Sequence, residues 1–305
     1  MRIKKITLNE YKRFKSLTID LGDEPKRIIA LVGPNGCGKS SIFDGILFHN
    51  NAYNQIGNKG NKDFHYHSID QLPSYNYDKV SIEFVEGNFR AVRGAKKEQG
   101  KENTIISFRS PYRYNNNLKV RETRAVNEIR LNNYGATLSS DLDDKMEENY
   151  RRLNIKYNKY LNEQDCKPSE AKIHIIGELN SSISACLDLQ ITSLGNIEDN
   201  KGTLYFSKSD YKEKEFEYNV LSSGEKEVID ILLDLYLRRD EYNDTIFLID
   251  EPELHINTAI QRKLLIEINK LIGDSCQLWV ATHSIGFLRA LQEELKDECQ
   301  IIEFI

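Results

Sequence analysis

The sequence predicts an α/β fold, with a mixed sheet that has an N-terminal antiparallel portion and an inserted helical subdomain. Three observations lead to this prediction. A glycine-rich octapeptide at 33–40 lies between a short apolar run and a segment with helical spacing. A second apolar run, at 245–249, ends abruptly in two acidic residues, as strands do at the functional edge of an α/β sheet. Between these two motifs, residues 139–190 read mostly as helix.

The composition is that of a globular protein with room for a core. The chain has 305 residues, 39% hydrophobic and 29% charged, with a formal net charge of −5, so any nucleic-acid site would be a local patch. No apolar run approaches the about 20 residues that cross a bilayer, and the N-terminus lacks the apolar centre of a signal peptide. The five cysteines are scattered without a C-x-x-C pair. We therefore expect a cytoplasmic protein with no membrane partner and no zinc site.

Two strands are predicted at the N-terminus, at 2–8 and 17–21, and the connection between them carries Arg13 and Phe14. The octapeptide that follows reads Gly-Pro-Asn-Gly-Cys-Gly-Lys-Ser and fits the phosphate-binding P-loop pattern. Its glycines let successive N–H groups and a helix N-terminus face an anion, Lys39 adds a point charge, and the Ser40 hydroxyl can hold Mg²⁺. A chance match of a glycine-rich turn is the alternative, and the flanking strand and helix favour the nucleotide site. The expected nucleotide contacts are Asn35, Gly36, Cys37, Gly38, Lys39, Ser40 and Ser41.

The middle of the chain predicts an exposed loop at 50–78, a β-hairpin at 79–93 and a strand at 104–108. His65 and His67 in the loop lack metal-ligand spacing, so polar loop residues are expected there. Residues 90–130 contain eleven basic and four acidic residues, with aromatic residues between them. This pattern suits a single-stranded nucleic-acid surface, with Arg109 and Arg113 as candidate contacts, and it equally suits a solvated strand edge.

Two helices separated by Pro168 are predicted within 139–190, and short strands are predicted at 203–207 and 215–220. The predicted organisation has three parts. Residues 1–138 form the first part of a nucleotide-binding head, residues 139–200 an inserted helical subdomain, and residues 201–305 the second part of the head.

Three further motifs follow. Ser222 and Glu225 form a capping box at the start of a helix, and the same open N-terminus with Gly224 could receive a phosphate. At the end of the 245–249 strand, Asp250 can bind Mg²⁺ and Glu251 can orient and deprotonate water. A third strand, 277–281, ends before His283, which could contact a γ-phosphate or a water molecule.

These four motifs in this order resemble the ATP-binding-cassette ATPase heads of SMC, RecF and OLD-like proteins. The resemblance implies a P-loop NTPase of the ABC-ATPase head type that binds ATP and Mg²⁺ and sandwiches two ATP molecules between two protomers. It also implies that Ser222 and Gly224 of one protomer contact the phosphate held by Lys39 of the other. Glu251 would be the catalytic base, His283 the switch histidine, and Arg13 a nucleotide contact rather than part of a solvated turn.

The chain departs from this family pattern at two places. The family's signature motif corresponds to residues 221–226, and Ser223 stands where that motif usually has glycine. The glutamine that binds Mg²⁺ in the family has no evident counterpart after strand 104–108. The heads also resemble ATPases of bacterial anti-phage systems such as PARIS, which work with a separate effector. The leading hypothesis is therefore an ATPase that self-associates around ATP and gates an effector protein. A DNA-repair or DNA-binding ATPase that uses the basic segment 90–130, and a non-hydrolysing ATP-dependent scaffold, remain alternatives.

Overall fold

The computed structural model describes residues 1–54, 79–110, 118, 145–196, 202–208 and 214–304. The greater part of the predicted loop at 50–78, with His65 and His67, lies outside the described residues. So do Arg113 and the other basic residues from 111 to 130, and the start of the predicted helical block at 139–144.

Twelve strands and seven helices are present in the described ranges. The strands are β1 (Ile3–Tyr11), β2 (Phe14–Asp20), β3 (Ile28–Val32), β4 (Val80–Phe84), β5 (Gly87–Asn88), β6 (Ile106–Arg109), β7 (Gln190–Ser193), β8 (Tyr205–Ser207), β9 (Phe216–Glu217), β10 (Ile246–Asp250), β11 (Gln277–Thr282) and β12 (Cys299–Glu303). The helices are α1 (Lys39–Asn54), α2 (Phe89–Glu98), α3 (Lys145–Gln164), α4 (Pro168–Cys186), α5 (Ser223–Arg238), α6 (Thr258–Leu271) and α7 (Ile285–Glu293).

The strands form three sheets. A four-stranded antiparallel sheet has the order β2-β1-β4-β5, and a small antiparallel sheet has the order β7-β8-β9. The central sheet has five parallel strands in the order β12-β3-β11-β10-β6. The prediction of an α/β fold with an N-terminal antiparallel portion is confirmed.

The central sheet is buried on both faces, which explains why its strands read as continuous apolar runs. Along β3, Ile28 and Ala30 pack into a core shared with α3 to α7, whereas Ile29 and Leu31 pack into a core shared with α1 and the antiparallel sheet. The same alternation holds along β10 and β11, because successive strand residues point to opposite faces.

One predicted element is wrong. The second arm of the expected hairpin at 79–93 is the helix α2, which follows the two-residue strand β5. The Asn88 side chain accepts a hydrogen bond from the Ala91 N–H at 3.0 Å and caps the helix. Phe89, Val92 and Lys96 are buried at helical spacing. The short alternation of Phe89 and Ala91 was too brief to separate a strand from a first helical turn.

The two helices expected in the 139–190 block are present as α3 and α4, and Pro168 occupies the first turn of α4, where its missing N–H has no cost. Both helices pack against α5. The Tyr236 hydroxyl of α5 donates to the Ile175 carbonyl of α4. Among the described helices, none is long and apolar enough to span a membrane.

Candidate functional site

Three adjacent strands of the central sheet end at one edge. The order β3-β11-β10 and the register pairs Val32–Thr282 and Asp250–Ala281 bring the carboxyl ends of these strands together. The P-loop follows β3, the acidic pair closes β10, and His283 follows β11. This topology therefore gathers three sequence motifs that are far apart in the chain.

The P-loop has the backbone that its glycines predict. Gly36 and Gly38 have φ angles of 79° and 109°, in a region that side chains other than glycine rarely adopt. The Lys39 ammonium is buried and donates to the Gly33 carbonyl at 2.7 Å and to the Pro34 carbonyl at 3.0 Å. Lys39 therefore lies across its own loop.

Arg13 and Phe14 lie against the P-loop. A Cβ placed on Gly38 would be 2.5 Å from Phe14 Cζ and 2.7 Å from Arg13 Cδ. An ion pair between Lys12 and Asp44 also ties this connection to α1. Only a glycine at position 38 allows the β1–β2 connection to approach the loop so closely.

A cavity of about 670 Å³ lies at this edge. Its lining contains Lys12, Arg13, Asn35, Gly36, Gly38, Lys39, Ser40, Ser41 and Glu251. Cys37, which we had expected among the nucleotide contacts, is outside this lining, and its Sγ lies 3.8 Å from Lys39 Nζ. The structure thus brings the P-loop, Arg13 and Glu251 around one space.

The acidic pair at the end of β10 has two different environments. Asp250 is 1% exposed, whereas the Glu251 side chain is one-quarter exposed and faces the cavity. Glu251 has a φ of 47°, unusual for a residue with a side chain, and its N–H donates to the Ala281 carbonyl at 2.9 Å. This backbone turn directs the side chain away from the sheet toward the P-loop.

His283 lies beside two carboxylates. Its Nδ1 is 3.9 Å from Glu251 Oε1 and 3.4 Å from Glu253 Oε1. Sequence reasoning missed Glu253, which accepts hydrogen bonds from Thr282 Oγ1 at 2.6 Å and from the His283 N–H at 3.0 Å. The sequence shows only that another acidic residue follows the Asp250–Glu251 pair, and no local pattern indicates that this residue contacts the end of β11.

Ser222 and Gly224, which the family resemblance assigns to a phosphate of the other protomer, do not line the P-loop cavity. Ser222 caps α5 and forms the expected reciprocal box with Glu225, with the Ser222 N–H donating to Glu225 Oε2 at 2.8 Å. Ser222 and Gly224 line a second cavity, of about 410 Å³, together with Asp188, Lys208 and His255 among others. A Cβ on Gly224 would lie 2.5 Å from the His255 carbonyl oxygen, so glycine is needed where the helix meets the segment after β10.

Arg109 was expected to contact nucleic acid, and this prediction is wrong because the side chain is buried. It is 2% exposed, and its guanidinium contacts Asp230 Oδ2 at 2.5 Å and Asp234 Oδ2 at 3.1 Å, both on α5. Lys96, also from the basic segment, is buried and donates to the Asp244 carbonyl at 2.6 Å. These two cations satisfy internal carboxylates and carbonyls, and neither is available to a nucleic acid.

The donor set at the edge of the sheet suits a hard cation. Ser40 and Asp250 offer hydroxyl and carboxylate oxygens, the ligand type that Mg²⁺ prefers. Among the residues that the structure describes, no three His, Cys, Asp or Glu side chains group to hold a metal. A magnesium ion bound to Ser40 and Asp250 would take its remaining ligands from phosphate or water oxygens.

Comparisons with known families agree with this architecture. A family model described as "AAA domain, putative AbiEii toxin, Type IV TA system" matches residues 85–289, more than half of the chain. A second model, described as "AAA ATPase domain", matches residues 1–89.

Curated relatives are matched over short stretches. The chromosome partition protein Smc of Methanocaldococcus jannaschii is 52% identical over 46 residues, which are 15% of this chain and 4% of that protein. The Smc protein of Myxococcus xanthus is 29% identical over 87 residues, or 28% of this chain and 7% of that protein. The chain thus matches only a small part of the length of these relatives.

One solved structure supports the fold. The Smc head bound to the C-terminal winged-helix domain of ScpA has a TM-score of 0.51 at 18% identity, and the match covers 95% of this chain and 92% of that one. The SMC head domain from Thermotoga maritima has a TM-score of 0.48 at 16% identity, with the same coverage of both chains.

Proposed function

The chain belongs to the AAA-domain family whose model matches residues 85–289, and we propose that it is an ATPase whose catalytic unit is a pair of copies enclosing ATP. The separation of its two cavities carries this proposal. One contains the P-loop and Glu251, the other contains Ser222 and Gly224, and their linings share no residue in the described part of the chain. A second copy can place its Ser222 and Gly224 against the P-loop of the first copy, whose own cavity does not contain these residues.

The P-loop cavity is suited to a triphosphate. Backbone N–H groups from Gly36 to Ser41 and the N-terminus of α1 surround the phosphates, as anion-binding loops do. Lys39 exchanges the carbonyls of Gly33 and Pro34 for the terminal phosphate oxygens, and Arg13 adds a positive charge to the cavity wall. A buried ammonium that already sits over the loop needs only a short side-chain movement to reach the phosphates.

In the proposed hydrolysis, the residues at the sheet edge have separate roles. Ser40 and Asp250 would hold Mg²⁺, which when bound would neutralise negative charge on the phosphates. Glu251 accepts a proton from the attacking water, and its position at the cavity wall allows this role. His283, next to Glu251, contacts the water or the γ-phosphate.

The proposal is tested by the variant Glu251→Gln with ATP. Without the base, ATP is bound but not hydrolysed, so the enclosed pair should accumulate and the molar mass measured by light scattering should at least double. Lys39→Ala is the matched control, because it removes a phosphate contact and should stay monomeric with ATP. A Glu251→Gln protein that remains monomeric at saturating ATP would contradict the enclosed pair.

We further propose that ATP-driven pairing gates a separate effector protein in the cytosol of a bacterium, in anti-phage defence. The toxin–antitoxin wording of the family description and the ScpA-bound relative support a separate partner. The five cysteines are all free thiols, which suits a reducing compartment. Plating efficiency of phage on cells carrying the gene with its neighbours should rise when Lys39→Ala is introduced. Equal plating efficiency would count against the defence role.

The two alternatives have less support. A DNA-binding ATPase would use the basic segment, but its Lys96 and Arg109 are buried. DNA affinity that falls steeply with salt would revive this hypothesis. A non-hydrolysing scaffold conflicts with the placement of Glu251 at the cavity wall, and a wild-type protein without phosphate release at any concentration would favour it.

A further inference from the structure

We infer that Glu253 is a positioning residue that holds His283 in the orientation needed for hydrolysis. Glu253 lies in the turn after β10, three residues beyond Asp250 and outside the lining of the P-loop cavity. Glu253 therefore does not contact the cavity itself. Its effect on the reaction must therefore pass through the groups that it holds, and the inference rests on the proposed ATPase function.

Three polar groups of one strand end converge on a single oxygen of Glu253. Oε1 accepts from Thr282 Oγ1 at 2.6 Å and from the His283 N–H at 3.0 Å, and His283 Nδ1 lies 3.4 Å away. The carboxylate is 6% exposed. A buried carboxylate is costly unless it accepts hydrogen bonds, so the contacts of Oε1 hold Glu253 and the end of β11 to one another.

The Thr282 hydroxyl strengthens this link, because both of its hydrogen-bonding roles are used. It donates to Glu253 and accepts from the Ser284 N–H at 2.9 Å. Ser284 caps α7, and its hydroxyl donates to Gln261 on α6. The backbone on both sides of His283 is therefore fixed, and the remaining freedom of His283 is the rotation of its own side chain.

The contact with Nδ1 restricts that rotation. When Nδ1–H faces Glu253, with Glu251 Oε1 at 3.9 Å on the same nitrogen, Nε2 is the ring nitrogen left for a ligand. The His283 side chain is 44% exposed, and although it is outside the lining of the P-loop cavity, the ring is open to a ligand beside Glu251. In a neutral ring Nε2 accepts from water, and in a charged ring it donates to phosphate. Removing the Glu253 carboxylate frees the ring to turn away.

Kinetics of Glu253→Gln and Glu253→Leu provide the first test. We expect kcat to fall about 10- to 100-fold in Glu253→Leu, in line with the cost of misplacing a catalytic group. The KM for ATP should change less than about threefold, because the P-loop residues that line the cavity are left intact. Glu253→Gln keeps an acceptor oxygen for Thr282 and for the His283 N–H, so its kcat should lie between wild type and Glu253→Leu. Glu98→Gln, an exposed position on α2, is the matched control.

A nitrogen NMR measurement of the His283 ring tests the same inference without ATP. Wild type should show the Nδ1–H tautomer for the ring signal that disappears in His283→Gln, and Glu253→Leu should shift that signal toward the Nε2–H form. Unchanged ring signals in Glu253→Leu, or equal losses in kcat and ATP binding, would overturn the positioning role. If wild type shows the expected tautomer but no hydrolysis, the ATPase proposal fails and the positioning contact stands.

Discussion

Replacing Arg109 with methionine should destabilise the protein severely, because it leaves a buried carboxylate without its cation. The side chains of Arg109 and Asp234 are each 3% exposed and that of Asp230 is 10% exposed. Breaking a buried pair by removing one partner costs about 3–5 kcal/mol. Asp234 keeps Arg238 Nε at 2.9 Å after the substitution, so the loss falls mainly on Asp230. We therefore expect the lower end of the range, about 3 kcal/mol.

Urea unfolding at pH 7 measures this cost, and a second substitution tests its cause. Adding Asp230→Asn to Arg109→Met removes the unbalanced charge and should recover at least about 1 kcal/mol, a coupling that a double-mutant cycle isolates. Arg90→Met, at an exposed position of α2, is the control and should stay within about 0.5 kcal/mol of wild type. An Arg109→Met protein as stable as the Arg90→Met control would refute the assignment of Arg109 to the core.

Two further predictions concern the P-loop and the end of α1. Gly38→Ala should weaken ATP binding about tenfold or more in calorimetry, because φ is 109° and the new Cβ would lie 2.5 Å from Phe14 Cζ. Gly94→Ala, with open space around it, should bind ATP like wild type, and equal affinity of the two variants would contradict the close approach. Burial lowers the pKa of His49 from 6.5 to about 4, so the unfolded state takes up a proton at higher pH than the native state does. Stability should therefore fall as the pH drops below 6.5. Between pH 7 and pH 5, wild type should lose about 2 kcal/mol more of its unfolding free energy in urea than His49→Gln does. Equal losses of stability in the two proteins would show that His49 is not buried as a neutral ring.

Local patterns predicted the P-loop and the acidic strand end. Glycine spacing indicates the backbone conformation of the loop, and an apolar run indicates a buried strand. Asp250 and Glu251 follow a strand whose apolar character reflects burial on both faces, and that is visible in the sequence. The sheet order that brings the acidic pair and His283 to one edge was not predicted, and the family resemblance supplied only the expected roles of Glu251 and His283.

Contacts between distant segments explain why Arg109 was placed wrongly and why Glu253 was not identified. Arg109 meets Asp234 across 125 positions, and its burial follows from the packing of α5 on the central sheet. Glu253 meets Thr282 across 29 positions because β10 and β11 are neighbours, which no local spacing encodes. The helix α2 was predicted as a strand because the apolar positions near Phe89 fit both periods over so few residues.

The rate of ATP hydrolysis per protomer, measured against protein concentration, tests the central claim most directly. If catalysis needs two copies, the wild-type rate per protomer should rise with concentration and then level off, while Glu251→Gln stays near zero throughout. A wild-type rate per protomer that is measurable and independent of concentration down to nanomolar protein would show that one chain completes its own site, and would contradict the enclosed pair.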